Sequence, residues 1–233
     1  MAAEKVAIMT NDKKTQIVAD CYSRAGSNYY DLFINNWFAN GAPDQFREEY
    51  GNMMSKLNLR RGNKVLVFGI GNGAGLELLP PSLDLKITGI DIAEGMLNLA
   101  REATSKYRMF SIDLHKMDVA NMNFEDNRFD AAYGIFVLSS ESRAKADEAL
   151  NELSRVIKPN GRLSIVDYNR SRIPGVKAEQ DLFPNGFTIY AKTSDGEEVP
   201  VVSWDPTIDF EEVFSQSPFE VVYKKVIDLD FFC

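Results

Sequence analysis

The sequence predicts an α/β fold: a mostly parallel, seven-stranded sheet with helices on both faces, an N-terminal helical cap and an inserted β-hairpin. Three observations predict it. Short runs rich in Val, Ile and Leu alternate with amphipathic helical stretches between residues 64 and 166. Consecutive runs in that region are not joined by hairpin turns, so neighbouring strands run parallel through helical crossovers. A loop with a glycine at every second position follows the first run directly.

The first 60 residues read as helical, with Tyr22, Tyr29, Tyr30, Phe33, Trp37, Phe38, Phe46 and Tyr50 at roughly helical intervals. Gly26 and the Gly41-Ala42-Pro43 turn break them into pieces. The run Lys64–Phe68 fits a buried parallel strand, and Ala74–Leu79 a helix start closed by Pro80-Pro81. Strands are expected at Leu85–Ile90, Ile112–Met117, Phe129–Phe136 and Arg162–Val166. Between them, Ala93–Lys106 is a helix with Met96, Leu97, Ala100 and Ala103 on one face. A second helix, Ser142–Ile157, carries Ala146, Leu150, Leu153 and Ile157 on one stripe and precedes a Pro159-Asn160-Gly161 turn. Beyond Tyr168 the pattern loosens. Phe187–Lys192 and Val199–Trp204 flank Ser194-Asp195-Gly196 as a hairpin, Phe210–Phe214 is a short helix, and Phe219–Phe232 supplies one or two closing strands. The expected organisation is one domain over 1–233. It comprises a cap (1–60), a core (61–168), an insertion with the hairpin (169–209) and a closing helix with its strands (210–233).

Bulk properties exclude several classes. The 233 residues suit one α/β domain, and 45 % apolar with 26 % charged residues is ordinary for a globular chain. A net charge of −8 and the lack of a basic run argue against nucleic acid as substrate. No stretch is long and apolar enough for a membrane span, and Met1–Lys14 has no secretory core, which together give a cytoplasmic expectation. Cys21 and Cys233 stand far apart without metal-ligand spacing, so neither a metal site nor a disulfide framework is expected.

The chemistry concentrates in Val67-Phe68-Gly69-Ile70-Gly71-Asn72-Gly73-Ala74-Gly75. Glycines admit backbone conformations closed to other residues and remove the Cβ that would block a ligand. Asp91 follows Gly73 by 18 residues, at the end of the second strand, where a carboxylate can accept both hydroxyls of a ribose. Loop and acid together describe an adenosine-containing cofactor. Gly69-x-Gly71-x-x-Ala74 also meets a dinucleotide fingerprint, and a ligand-free turn or a helix-start aspartate would use the same residues.

Four ordered segments narrow the reading: Leu66–Gly73, Ile87–Leu97, Asp118–Asp130 and Glu152–Leu163. Over Leu57–Tyr168, about half the chain, the sequence resembles the class I S-adenosylmethionine-dependent methyltransferases, whose fold is Rossmann-like. It resembles especially the branch that includes ubiquinone and menaquinone C-methyltransferases and small-molecule relatives. The resemblance implies S-adenosyl-L-methionine as cofactor and S-adenosyl-L-homocysteine as product. It implies that Gly69, Gly71 and Gly73 form the cofactor loop and that Asp91 binds the ribose. Ile92 and Met96 would flank the adenine, and Asp118 would accept from its amino group with the Val119 backbone alongside. Gly134 and Ile135 would approach the methionine end, with Tyr22 or Tyr30 closing over its carboxylate. A core tyrosine is the alternative for these last two.

The sequence departs from the family at two positions. Val67 stands where an acid usually orients the loop and holds the methionine amino group, and Leu138-Ser139-Ser140 stands where a histidine is common after the fourth strand. His115, the one histidine, is expected to be structural on a buried strand. Methyl transfer from a sulfonium needs placement first and a base only if the acceptor must lose a proton. Tyr30, Ser139, Asp167 and Tyr168 are candidates for that base, with none assigned. The acceptor is expected to be a small hydrophobic or aromatic metabolite, a reading suggested by Phe183, Phe187, Tyr190 and Trp204, which equally fit the hairpin's own packing. Two alternatives stay open: a non-methylating member of the fold that binds the same cofactor, and a nicotinamide oxidoreductase. The acceptor atom and the oligomeric state are not legible in the sequence.

Overall fold

The computed structural model describes residues 15–16, 18–20, 22–23, 44–105, 107, 109–167, 187–192, 198–204 and 208–225. Its centre is a five-stranded, all-parallel sheet built from β1 (Lys64–Phe68), β2 (Lys86–Asp91), β3 (Ser111–Lys116), β4 (Phe129–Ile135) and β5 (Ile157–Val166), in the order β3-β2-β1-β4-β5. Helices α1 (Asp44–Ser55), α2 (Glu94–Thr104), α3 (Arg143–Val156) and α4 (Phe210–Ser215) accompany it.

Strand β1 shows why this sequence folds this way. Successive side chains point to opposite faces, so a strand covered on both faces must be apolar throughout. Val65 and Val67 join one core with Leu97 and Ala100 of α2, Leu76, Leu79 and Leu85. Leu66 and Phe68 join the other, with Ala146, Leu150 and Leu153 of α3 and Phe210 and Val213 of α4. The edge strand β3 instead alternates half-buried and exposed positions. His115 lies there with its ring 37 % exposed, paired to Asp113 and edge-on to Phe124. The expected buried strand is therefore a sheet margin, because nothing pairs beyond β3 among the described residues.

The expected seven-stranded sheet has five strands among the described residues. Strands β6 (Phe187–Lys192) and β7 (Glu198–Trp204) form a separate antiparallel pair, whose ladder closes on itself. Strand β7 lies against the 3-10 turn Leu138–Ser140, beyond the carboxyl end of β4. Residues 219–225, expected to begin a closing strand, run without strand pairing, and residues 226–233 lie outside the described residues. The expected helix after the glycine loop is a five-residue 3-10 turn, Ala74–Leu78. Pro159-Asn160-Gly161 does not precede β5 but interrupts it. Ile157 pairs with Phe129 and Arg162 with Ala131, the extra residues bulging at Asn160, which has φ of 64°.

Strand order reverses between β1 and β4. Connections from these strands leave in opposite directions, opening a crevice at their carboxyl ends, where ligands bind in such sheets. Two devices hold the connections in shape, one toward the amino end of β4 and one past the carboxyl end of β5. Arg155 of α3 donates to the carbonyls of Met122 and Phe124 and to Asp126, while Glu152 accepts from Arg155 and from the Met122 N–H. Together they pin the β3–β4 connection. Asp167, just past β5, accepts from the N–H groups of Val137, Leu138 and Ser139 through one oxygen, at 2.8–3.2 Å.

Candidate cofactor site

The site begins where β1 ends. Gly69, Gly71 and Gly73 have φ of 59°, 57° and 85°, so all three need the left-handed region that other side chains rarely adopt. At Gly69 a Cβ would also sit 2.4 Å from Val137. The loop is held from several sides. Ile70 N–H donates to Ile90 O, Asn72 caps the Ala74 N–H, and Gly71 N–H donates to Asp91 Oδ2 at 2.9 Å.

Asp91 is buried, and its second oxygen accepts from Ala93 N–H at 2.9 Å. Burial pushes the carboxyl up to about 6, although the N–H groups of Ala93, Gly71 and Ile92 pull the other way. A nearly dry carboxylate with one backbone donor on each oxygen still has lone pairs to offer. A vicinal diol would supply the donors that water cannot, so Asp91 fits a ribose.

Asp118 stands 27 residues on in sequence, after β3. Its Oδ1 accepts from Ala120 N–H at 2.8 Å, forming a side-chain turn, and its Oδ2 takes the Lys145 ammonium at 2.7 Å. Ile92 is half-buried, Met96 fully buried, and the Val119 side chain belongs to the core, leaving its backbone as the part available to a ligand. Gly134 lies inside β4 beneath Phe68, whose ring would be 2.1 Å from a Cβ there. Ile135 packs beside Gly75.

Val67 is buried in β1, in register with Gly89 and Tyr133. No carboxylate reaches the loop from this position. Tyr133 does: its hydroxyl donates to Gly75 O at 3.1 Å, and burial drives the phenol far above its ordinary range, so it stays a donor. Sequence reasoning missed both Tyr133 and Lys145, since each needs a partner distant in the chain.

Tyr22 is half-buried in a helical stretch within residues 15–23. This stretch is seated at two places. Thr15 Oγ1 donates to Glu141 Oε2 at 3.3 Å, just before α3, and the Ser23 backbone passes within 2.6 Å of where a Gly95 Cβ would be, in the first turn of α2. It thus bridges the starts of the helices that follow β4 and β2. Tyr30, Tyr168 and Phe183 lie outside the described residues. Phe187, Tyr190 and Trp204 belong to the hairpin strands. Ser139 is buried, and Asp167 accepts from the turn it caps through one oxygen. Among the described residues no cluster of His, Cys, Asp and Glu could hold a metal, and no helix is long and apolar enough to cross a membrane.

A parallel sheet with a glycine loop at its switch point and a buried acid ending β2 defines a nucleoside-cofactor-binding α/β protein. A methyltransferase-domain family matches residues 65–161. A demethylmenaquinone methyltransferase of Bacteroides fragilis is 30 % identical over 201 residues, covering 81 % of this chain and 73 % of that protein. A 2-phytyl-1,4-naphtoquinone methyltransferase of Nostoc punctiforme is 35 % identical over 107 residues, 44 % of each protein. A solved SAM-dependent methyltransferase from Methanosarcina mazei shares the fold with a TM-score of 0.58 at 22 % identity, over 73 % of this chain and 85 % of that one. The chain belongs to the class I S-adenosylmethionine-dependent methyltransferases.

Proposed function

We propose that this protein transfers the methyl group of S-adenosylmethionine to an O, N or C atom of a small hydrophobic or aromatic metabolite. The observation that carries it is the buried Asp91 carboxylate tied to the glycine loop at the switch point of the sheet. In this reading Asp91 takes the ribose hydroxyls, Ile92 and Met96 flank the adenine, and Asp118 and the Val119 backbone meet its Watson–Crick edge. The Gly69–Gly73 loop with Gly134 and Ile135 approaches the methionine end, and Tyr22 or Tyr30 closes over its carboxylate.

The bound sulfonium supplies an activated methyl and its own leaving group. The chain's task is placement: holding the acceptor in line is worth roughly 7–11 kcal/mol of barrier in well-oriented reactions. The 15–23 stretch and the hairpin stand at the carboxyl end of the sheet, where they would exclude water around the methyl group. The division into cap (1–60), core (61–168), acceptor-side insertion (169–209) and closing segment (210–233) follows from this reading. An aromatic acceptor is supported by the quinone methyltransferases among the relatives. A cytoplasmic place of action and independence from nucleic acid belong to the same proposal, the latter supported by the charge of −8.

The test is formation of S-adenosylhomocysteine from S-adenosylmethionine in the presence of prenylated naphthoquinols lacking the ring methyl, phenols and small amines. Acceptor-dependent product at catalytic rates is expected. Tight binding of S-adenosylhomocysteine with no turnover on any acceptor would overturn methyl transfer and favour a non-methylating role.

A further inference from the structure

Lys145 occupies a position that is unfavourable twice over. It lies in the first turn of α3, after the Ser142 cap, where the helix field opposes a cation. It is also buried, with its side chain 10 % exposed, and lysines are rarely buried unless paired. Its ammonium is nevertheless 2.7 Å from Asp118 Oδ2. Burial pulls its proton affinity down, but Asp118, with Glu141 and Glu148, outweighs this and leaves the ammonium firmly charged. Glu141 is itself buried and accepts from Thr15, so the cluster joins the 15–23 stretch to the β3–β4 connection.

We propose that Lys145 is a positioning residue of the cofactor site, which holds the Asp118 carboxylate turned to accept from a 6-amino purine and so sets selectivity for adenine. This rests on the cofactor reading above. A carboxylate offers about four lone-pair positions. Ala120 N–H fills one on Oδ1 and Lys145 one on Oδ2, which fixes the plane of the group from two sides and leaves acceptor capacity directed away from both. An adenine amino group can donate into that capacity. A 6-oxo purine instead presents an oxygen to a carboxylate, and the two repel. Without Lys145 the carboxylate keeps one anchor and can turn toward water, where it no longer distinguishes the two bases.

The experiment is calorimetric titration of the full chain with S-adenosylhomocysteine and S-inosylhomocysteine. The wild type is expected to prefer the adenosyl ligand. Lys145→Met is expected to shrink that preference by about tenfold or more, the scale of one misplaced charged hydrogen bond. Lys145→Arg, which keeps the cation, is expected to restore most of it. Asp91→Ala is expected to weaken both ligands alike and leave their ratio unchanged, since ribose is common to them. Lys145→Gln with the same readout serves if Lys145→Met does not fold. An unaltered preference in a folded Lys145→Met or Lys145→Gln variant overturns the role of the lysine alone. If the wild type binds neither ligand, the cofactor reading falls and this proposal with it.

Discussion

Asp91 anchors the loop through Gly71, and under the proposed function the same side chain takes the ribose hydroxyls. Its carboxyl titrates near 6 in the fold against 3.8 for an ordinary aspartate. Ionised at neutral pH, it therefore costs the unliganded fold roughly 3 kcal/mol, at 1.36 kcal/mol per unit. Between about pH 4 and 6 the folded state holds the extra proton, so this contribution lowers stability as pH rises through that window. Denaturant melts should show the stability of the wild type relative to Asp91→Asn falling by about that amount over the window and staying level above it. A level difference throughout would contradict the assignment. The ribose needs the ionised acceptor, so S-adenosylhomocysteine affinity should be constant above about pH 7 and decline below about pH 6. Asp91→Ala should weaken it by at least about 1–3 kcal/mol in calorimetry. Tyr133 poses a smaller test. Tyr133→Phe keeps the ring packing but strips the Gly75 carbonyl of its donor, with an expected loss of about 1 kcal/mol in unfolding free energy. A matching rise in KM for the cofactor at unchanged kcat would show that the hydroxyl holds the loop in place of an acid at residue 67.

Among the elements, the connection from β3 to β4 carries Asp118 and has little regular structure of its own. Its order comes from α3, through the Arg155 and Glu152 bonds to Met122, Phe124 and Asp126. Arg155→Met leaves two carbonyls and two carboxylates without that cation, and should destabilise the fold by about 1–3 kcal/mol. Amide hydrogen exchange over residues 118–127 should rise more than over β1. Uniform change across the chain would mean that the clamp serves global stability instead of this loop. Of these elements the sequence announced α3 clearly, since its apolar stripe has one period throughout. It did not announce the bulge in β5. A Pro-Asn-Gly triplet reads as a boundary, and only the pairing of Ile157 with Phe129 shows that the strand begins before it.

At the scale of the molecule, the 15–23 stretch and the hairpin approach the crevice from the two ends of the chain. Adding S-adenosylhomocysteine should slow amide exchange in residues 15–38 and raise the unfolding midpoint as RT ln(1 + [L]/Kd) requires. Equal protection with and without ligand would make that region a permanent part of the core. With a charge of −8, the protein should show no micromolar, salt-sensitive binding to DNA or RNA in an anisotropy titration.

The parallel core, the glycine loop and Asp91 were legible from the sequence because each rests on local chemistry. Continuous apolar runs and period-3.6 hydrophobicity are each written within one element, and three alternate glycines permit the left-handed turns found here, which other residues rarely adopt. The tertiary structure alone decided how the loop is held, what faces Asp118, and that the sheet has five strands among the described residues. Tyr133 and Gly75 are 58 residues apart, and Lys145 is 27 residues beyond Asp118. A hydrogen bond or ion pair across such a span leaves no periodic trace in the chain; it exists because β4 pairs beside β1 and α3 packs over the sheet. Strand partners are likewise chosen by which edge is free after folding, so the short apolar runs were written in the sequence while the number that joins the sheet was not.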